Sequence, residues 1–310
     1  MKIKVLFITA KHSSMRRFEP LGSLKYNTMR TPITYYGGKQ GLSGRIIPMI
    51  PRHRIYCEPF FGGGAVFFAK GKSEIEVIND KNEMLINFYQ ICREKFGELQ
   101  KMIQHSLHSE AEFLKAKDIY NKRIESCDVE RAWALWILSH ECHAANLHGG
   151  WRYCNGTAGT HIGRVLRKKR EEFTNKLYER ISEVQISCRD ALRVIKDRDS
   201  VETFFYLDPP YPGACQGHYY GFSEEDSEPI QGATVLIKGT NIGTITDADG
   251  KFILSNYWTD TLRSAVEKYK WNFKEIDVTT HSAVNKNARK STEVLVYNYE
   301  LEPTLFSSIF

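Results

Sequence analysis

Apolar residues form two kinds of pattern along this chain. Short apolar runs predict strands, and longer stretches with apolar positions three or four residues apart predict helices. Strands are expected at 2–9, 54–58, 76–80, 184–187, 203–207 and 293–299, and helices at 82–104, 110–145 and 164–180. Because strands alternate with helices on both sides of a helical middle, the pattern predicts an α/β fold: a parallel sheet with a second, mainly helical module inserted in it.

Two stretches differ from these patterns. Residues 146–163 are rich in glycine and have no helical period, which predicts a long loop of the kind that is often functional. Residues 1–28 contain the first short strand and then a polar loop, and their character differs from that of the rest of the chain. They are expected to be an N-terminal extension, with a foreign origin and a later start at Met29 both left open.

Composition places the chain among globular proteins. It has 310 residues, of which 42% are hydrophobic and 26% charged. No apolar run approaches the ~18 residues of a membrane span, and the N-terminus lacks a clear signal peptide, so a cytoplasmic protein is expected. The seven cysteines are scattered, which favours free thiols. The net charge of +6 permits a polyanionic partner without requiring one.

The segment Asp208-Pro209-Pro210-Tyr211 follows a strand of large apolar residues. Prolines cannot continue the strand ladder, so the segment is expected at the carboxyl edge of the sheet, where ligands bind in open α/β folds. The carboxylate of Asp208 and the carbonyl of Pro209 can accept both hydrogens of an exocyclic amine, and Tyr211 can stack on a base. The alternative is a strand-ending turn with a capping aspartate.

A second segment joins a strand to a helix through Glu58 and the glycines at 62–64. Glycines let the backbone approach a ligand closely, but neither a dinucleotide fingerprint nor a phosphate loop is present. An acidic residue at this turn argues against a phosphate and favours a ligand with a cationic part.

Together these segments resemble the DNA adenine methylases of the Dam type, the D12 class of N6-adenine-specific DNA methyltransferases. Similar motifs occur in family order at 34–39, 58–64, 77–87, 188–190 and 208–211, and two closing strands at 251–257 and 294–299 also resemble the family. The resemblance covers about 31–226 and 250–300. It implies a Rossmann-like sheet that binds S-adenosylmethionine and an inserted target-recognition module for double-stranded DNA.

The resemblance also assigns residues to the cofactor and to the reaction. Contacts with S-adenosylmethionine are expected from Tyr36, Lys39, Glu58, Pro59, Phe60, Gly62, Gly64, Asp80, Asp190 and Asp208. In this set Asp80 would accept hydrogen bonds from the ribose hydroxyls, and Asp190 would bind the amino group of the cofactor's adenine. A target adenine flipped out of the DNA would be held for methyl transfer to N6 by Asp208, Pro209, Pro210 and Tyr211.

By the same resemblance, residues 29–90 and 185–310 form the catalytic domain and residues 91–184 the target-recognition module. DNA contacts are expected from Trp151, Arg152, Asn155, Arg167, Lys168 and Lys169. A solvated helix face would also explain the last three residues. The protein is expected to be a monomer from a restriction–modification system or a mobile element, with a cognate restriction endonuclease left open as a partner.

Histidines and cysteines cluster at 140–161 and invite comparison with a zinc site. The potential ligands are His140, Cys142, His143, His148, Cys154 and His161. Their spacing matches no standard zinc pattern, so no metal is predicted and zinc stays the alternative.

Residues 228–254 depart from the family pattern, because strand and turn residues stand where the family has an amphipathic helix. They resemble a fragment of the carboxypeptidase-regulatory-like domain of SusC-type TonB-linked transporters. The atypical part, 227–250, would replace a helix that covers one face of the sheet. The alternative function is therefore a catalytically impaired methylase that still binds DNA or cofactor. A transporter or adhesin fragment is a third hypothesis, which depends on this segment alone.

Overall fold

A computed structural model describes residues 29–35, 37–143, 146–154, 161–209, 250–280 and 289–301. Some predicted features lie outside these residues: the extension 1–28 with its strand, the segment 227–249, and the site residues Tyr36, Asn155, Pro210 and Tyr211. Within the part that the structure describes, no helix is long and apolar enough to cross a membrane.

Strands of the described residues form one sheet. They are β1 (Ile55–Glu58), β2 (Ile75–Asn79), β3 (Gln185–Ser187), β4 (Thr203–Leu207), β5 (Lys251–Asn256), β6 (Asn272–Thr280) and β7 (Arg289–Tyr297). Their order across the sheet is β3-β2-β1-β4-β5-β7-β6. Strands β1 to β5 pair in parallel, and β7 runs antiparallel between β5 and β6. The α/β fold predicted from the sequence is confirmed.

Helices surround the sheet and form the middle of the chain. They are α1 (Ser43–Ile46), α2 (Ala65–Ala69), α3 (Glu83–Glu94), α4 (Phe96–His105), α5 (Glu110–Tyr120), α6 (Asp128–Glu141), α7 (Ile162–Glu172), α8 (Asn175–Ile181), α9 (Ala191–Arg198) and α10 (Asp260–Tyr269). A short 3-10 helix covers Ile47–Met49.

Each of the three long helices predicted from the sequence is divided in two. Lys95 leaves helical geometry between α3 and α4 (φ −137°, ψ 40°), and Lys122 takes a left-handed conformation after α5 (φ 57°). Helix α7 ends before Phe173, and α8 begins at Asn175. The apolar pattern continues through these breaks because the helices on both sides pack into the same core, so periodicity alone did not reveal them.

The pleat of the sheet sends alternate side chains into two cores. Tyr56 and Phe204 pack into the larger core, which includes the helical middle of the chain. Cys57 and Phe205, their neighbours in sequence, pack into a smaller core with residues of α9 and α10. All of β4 is buried, as expected of a parallel strand that is covered on both faces.

A buried ion cluster joins α8 to the sheet. The guanidinium of Arg180 contacts both carboxylate oxygens of Glu76 on β2 and donates to the carbonyl of Phe67 at 2.8 Å. Lys70 also donates to this carboxylate, at 2.5 Å. Buried charges are stable when they are paired, so these contacts hold the helical part of the chain against the sheet. Helix α3 crosses the predicted domain boundary at residues 90–91, and the division into two domains stays a prediction.

Candidate active site

Acidic residues end four neighbouring strands of the sheet. Glu58 is the last residue of β1, Asp80 and Asp208 directly follow β2 and β4, and Asp190 lies three residues after β3. Because these strands are parallel, their carboxyl ends share one edge, where ligands bind in open α/β folds. This acidic edge, composed of Glu58, Asp80, Asp190 and Asp208, can accept hydrogen bonds from hydroxyl and amino groups and can attract a cation.

Lys39 reaches the acidic edge from the segment before α1. Its Nζ lies 3.0 Å from Oδ1 of Asp208 and 3.9 Å from Oε1 of Glu293 on β7. It also donates to the carbonyl of Gly37 at 3.0 Å. The side chains of Lys39 and Glu293 are only 4% and 7% exposed, whereas that of Asp208 is 20% exposed. Lys39, Asp208 and Glu293 together form the Lys39 cluster.

The charges of the Lys39 cluster influence one another. Burial lowers the pKa of Lys39, but the carboxylates of Asp208 and Glu293 outweigh this effect and raise the pKa above its ordinary value. Burial raises the pKa of Glu293, the ammonium of Lys39 lowers it, and Asp208 raises it again, with a net increase. Lys39 is therefore a cation at neutral pH, held between two carboxyl groups.

Glu58 has different surroundings. The residue is 1% exposed, and the hydroxyl of Tyr56 donates to its carboxyl group. Burial raises the pKa of Glu58 to about 8, although the bond from Tyr56 and the charge of Lys70 oppose this increase. Glu58 is therefore mostly uncharged near neutral pH, and its contact with a cofactor stays a prediction.

The turn after β1 requires glycine at two positions. Gly62 and Gly64 have φ angles of +50° and +67°, a region that residues with a side chain rarely adopt. A Cβ atom on Gly64 would also lie 2.5 Å from the ring of Phe61. The glycine turn expected from the sequence is present, and its backbone conformation by itself explains these two glycines.

Asp80 fastens this turn to the end of β2. Its Oδ2 accepts the N–H of Gly62 at 2.9 Å, and its Oδ1 accepts the N–H of Asn82 at 2.9 Å. Burial raises the pKa of Asp80 to about 6, although these backbone bonds favour the ionised form. The predicted contact between Asp80 and ribose hydroxyls stays a prediction.

Asn79 connects the ends of three strands, a role that its position in the sequence did not reveal. Its Nδ2 donates to the carbonyls of Pro59 and Arg189, both at 3.0 Å. Its Oδ1 accepts from the hydroxyl of Ser187 at 2.8 Å and from the N–H of Arg189 at 2.9 Å. A buried amide with all of these bonds positions the turn after β1 and the loop after β3.

Asp190 lies at the exposed N-terminus of α9. Its Oδ1 accepts the N–H groups of Leu192 at 3.0 Å and Arg193 at 3.3 Å. This N-cap explains an aspartate here without a ligand. The predicted bond between Asp190 and the cofactor's adenine stays a prediction.

Trp151 and Arg152 form hydrogen bonds with residues of α6. The indole N–H of Trp151 donates to Oε2 of Glu141 at 3.0 Å, and the backbone N–H of Arg152 donates to the carbonyl of Glu141 at 2.8 Å. The guanidinium of Arg152 donates to the carbonyl of His140 at 3.3 Å. These bonds anchor the loop at 146–154, and its DNA contacts stay predictions.

Helix α7 carries Arg167, Lys168 and Lys169, which were predicted to contact DNA. Arg167 and Lys168 are exposed. The side chain of Lys169 is 19% exposed and lies 3.3 Å from the carboxylate of Glu172. The residues predicted to contact phosphates therefore differ in accessibility, and Arg167 and Lys168 are the more accessible pair.

His140 belongs to the internal structure of the protein. Its Nε2 bonds the carbonyl of Pro32 at 3.2 Å and its Nδ1 lies 3.2 Å from the hydroxyl of Thr34. Burial lowers the pKa of His140 to about 3, so the ring is neutral. Nε2 then carries the hydrogen and Nδ1 accepts from Thr34. This histidine holds the segment before Lys39 against α6, and no group of three potential metal ligands occurs among the described residues.

The role of Glu293 was also missed from the sequence, where the residue begins the apolar strand predicted at 293–299. Placement of β7 beside β5 brings it to Lys39. One usable signal was present, because a charged residue in a buried strand requires a partner.

Comparisons with known proteins show which proteins this chain is similar to. A model of the family described as D12 class N6 adenine-specific DNA methyltransferase matches residues 35–284. The type II methyltransferase M1.LlaDCHI of Lactococcus lactis subsp. cremoris is 27% identical over 282 residues, which are 85% of this chain and 93% of that protein. The type II methyltransferase M.MjaIII of Methanocaldococcus jannaschii is 27% identical over 204 residues, 58% of this chain and 68% of that protein. The DNA N-6-adenine-methyltransferase of Escherichia phage P1 is 31% identical over 116 residues, 36% of this chain and 15% of that protein.

The mixed sheet is consistent with the Rossmann-like class of methyltransferases. Because the family model matches most of its length, the chain belongs to the D12 class N6 adenine-specific DNA methyltransferase family. The family resemblance recognised in the motifs is confirmed.

Proposed function

We propose that this protein transfers a methyl group from S-adenosylmethionine to N6 of adenine in double-stranded DNA. Membership of the family gives the class of reaction. The observation that supports this site is the position of Asp208, which follows β4 at the acidic edge and is paired at 3.0 Å with the buried Lys39 ammonium.

The acidic edge fits S-adenosylmethionine by its chemistry. This cofactor offers two ribose hydroxyls, an amino group and a cationic sulfur, all of which suit carboxyl groups, whereas a phosphate would be repelled. The residues proposed to hold it are Tyr36, Lys39, Glu58, Pro59, Phe60, Gly62, Gly64, Asp80, Asp190 and Asp208. When bound, S-adenosylmethionine supplies the methyl group and retains the electron pair of the broken carbon–sulfur bond.

Asp208 and Pro209 would orient the target adenine. The carboxylate of Asp208 accepts one N6–H and the carbonyl of Pro209 accepts the other, which localises the lone pair on N6. N6 gains the methyl group and releases one proton, with Asp208 as its proposed first acceptor. Pro210 and Tyr211 complete this part of the proposal, and the ring of Tyr211 stacks on the base.

The helical part of the chain, residues 91–184, is proposed to recognise DNA, and residues 29–90 with 185–310 to form the catalytic domain. Arg167, Lys168 and Lys169 would contact phosphates. Contacts with base edges or with the DNA backbone would come from Trp151, Arg152 and Asn155. The proposal includes a flipped target base. It also includes a monomeric cytoplasmic enzyme, with a cognate restriction endonuclease left open as a partner.

A separate origin is proposed for the segment 228–254, as a fragment related to the carboxypeptidase-regulatory-like domain of SusC-type transporters. Its last four residues, 251–254, belong to β5 and pair with residues 204–207 of β4. The foreign part is therefore proposed to end where β5 begins.

The proposal is tested with purified protein, labelled S-adenosylmethionine and unmethylated double-stranded DNA, followed by digestion and detection of N6-methyladenine. We expect the product from the native chain and a rate at least ~100-fold lower from Asp208→Asn, because the negative charge offered to the reacting amine is lost. Asp277→Asn is the matched control, because Asp277 is an exposed carboxylate on β6. An unchanged rate in Asp208→Asn would exclude the role given to Asp208. No product from folded protein that binds the cofactor would favour the impaired methylase.

A further inference from the structure

We propose that Glu293 is a positioning residue for methyl transfer, which balances the charge of Lys39 and thereby keeps the site negative for a cationic cofactor. This inference rests on the proposed function. It extends that function to a residue on an antiparallel strand distant in sequence from Asp208.

The charges of the Lys39 cluster give the first argument. Lys39 and Asp208 form a close pair with a 3.0 Å separation, and such a pair alone has no net charge. Glu293 lies 3.9 Å from the same ammonium and adds a second carboxyl group. With Glu293 ionised the cluster has a net charge of −1, so negative potential remains at the edge where Asp208 is partly exposed.

The placement of Glu293 gives the second argument. Strand β7 is paired on both sides, with β5 and with β6, so its backbone is held within the sheet. The hydroxyl of Ser255 on β5 donates to Oε2 of Glu293 at 3.5 Å, while Oε1 is the oxygen nearer to Lys39. The carboxyl group of Glu293 is thus held near Lys39 by a strand that is paired on both sides.

The cost of burial gives the third argument. Asp208 supplies the closer of the two counter-charges of the buried Lys39. A further buried carboxyl group loses hydration and, at 3.9 Å, does not replace it with a short bond to Lys39. A role in stability therefore explains Glu293 poorly, whereas a site that must attract a cation benefits from it.

The experiment compares two ligands that differ in charge at one atom. S-Adenosylmethionine has a cationic sulfur, and S-adenosylhomocysteine has a neutral one. Affinities for both are measured by calorimetry in the full chain and in Glu293→Gln, which keeps the shape of the side chain and removes its charge. We expect Glu293→Gln to bind S-adenosylmethionine about tenfold more weakly and S-adenosylhomocysteine less than twofold more weakly. We also expect kcat to fall about tenfold.

The matched control is Asp277→Asn, which removes a carboxylate from the same β6–β7 hairpin. Asp277 is exposed and accepts the hydroxyl of Thr292 at 2.9 Å. Water screens an exposed charge, so the ratio of the two affinities should stay at the native value in this variant.

Equal losses for both ligands, or no loss for either, would show that Glu293 is structural and overturn the proposal. If Glu293→Gln does not fold, the same two affinities are measured in Glu293→Asp, because its shorter side chain moves the charge away from Lys39. In Glu293→Asp, the affinity for S-adenosylmethionine relative to that for S-adenosylhomocysteine should fall two- to fivefold. An unchanged ratio would overturn the proposal. A native chain that methylates DNA, while Glu293→Gln and Glu293→Asp keep the native ratio of the two affinities, contradicts this inference alone. A native chain that binds neither ligand and yields no N6-methyladenine contradicts the proposed function as well.

Discussion

Glu58 and Asp208 end two neighbouring parallel strands, β1 and β4, yet their surroundings are opposite. Glu58 is almost fully buried beside the hydroxyl of Tyr56, and burial raises its pKa to about 8. Asp208 is partly exposed and lies 3.0 Å from the ammonium of Lys39. The same chemical group is therefore buried and bonded to a hydroxyl at one strand end and the partner of a cation at the next.

This difference shows that position at the edge of the sheet does not by itself determine the surroundings of a carboxyl group. The neighbouring groups determine which form of the carboxyl group is favoured. Burial favours the neutral acid, whereas a nearby ammonium group favours the ion. Lys39 provides that ammonium group for Asp208, and Glu58 has none at comparable distance among the described ion pairs.

The largest contrast is expected in catalysis. Asp208→Asn should lower kcat by about 100- to 1,000-fold, because a charged acceptor is lost. Glu58→Gln should lower kcat less than about fivefold at pH 7, since Gln resembles the neutral acid in shape and charge. Single-turnover methylation of unmethylated DNA measures both rates. Equal losses in the two variants would remove the distinction between the strand ends.

The next effect concerns the turn after Glu58. Gly64→Ala should lower the free energy of unfolding by about 2–4 kcal/mol, because Ala resists the positive φ angle and its Cβ would approach the ring of Phe61 at 2.5 Å. Denaturant unfolding measures the change. Gly44→Ala is the control, because no atom lies within 4 Å of its added Cβ. Equal stability of the two variants would contradict a turn that depends on glycine.

A gradual effect, smaller per pH unit than the change in Gly64→Ala, is expected in the pH dependence of stability. The pKa of Glu58 is raised from an ordinary 4.5 to about 8 in the folded protein, so the folded state binds this proton more tightly than the unfolded state. The contribution is complete below about pH 4.5 and is lost as the pH rises toward 8. The free energy of unfolding of the native chain, minus that of Glu58→Gln, should fall across this range by at most ~1.4 kcal/mol per pH unit. A flat difference would show that Glu58 is ionised in the folded protein.

The smallest effect is expected for Tyr56→Phe, which removes the hydroxyl bonded to Glu58. Loss of one hydrogen bond should lower the free energy of unfolding by about 1–2 kcal/mol, because a buried carboxyl group loses a partner. Thermal unfolding and kcat are measured together, and kcat should change less than about twofold. A kcat loss comparable to that of Asp208→Asn would place Glu58 among the reacting groups.

The sequence predicted those parts of the fold that depend on neighbouring residues. The strand at 203–207 and the glycine turn at 62–64 were predicted because apolar runs, prolines and glycines act locally. The position of Asp208 at the carboxyl edge was predicted by the same local rules, and the ordered motifs indicated the family.

Other features depend on contacts between distant parts of the chain. Glu293 meets Lys39 because β7 inserts beside β5, and no local pattern specifies that pairing. His140 reaches Pro32 through the packing of α6 on the first described segment. The breaks at Lys95 and Lys122 were missed since helices on both sides share one core. Long-range topology therefore limited the prediction more than local propensity did.

The order of the last two strands also determines when each can join the sheet during synthesis. Strand β6 precedes β7 in the chain, but β7 lies between β5 and β6 in the sheet. As the ribosome adds residues in sequence, β6 has no neighbour in the sheet until β7 has emerged. Glu293 arrives with β7, so the negative charge around Lys39 is completed only when this strand is in place. An unfinished chain would then carry Lys39 and Asp208 without their third partner.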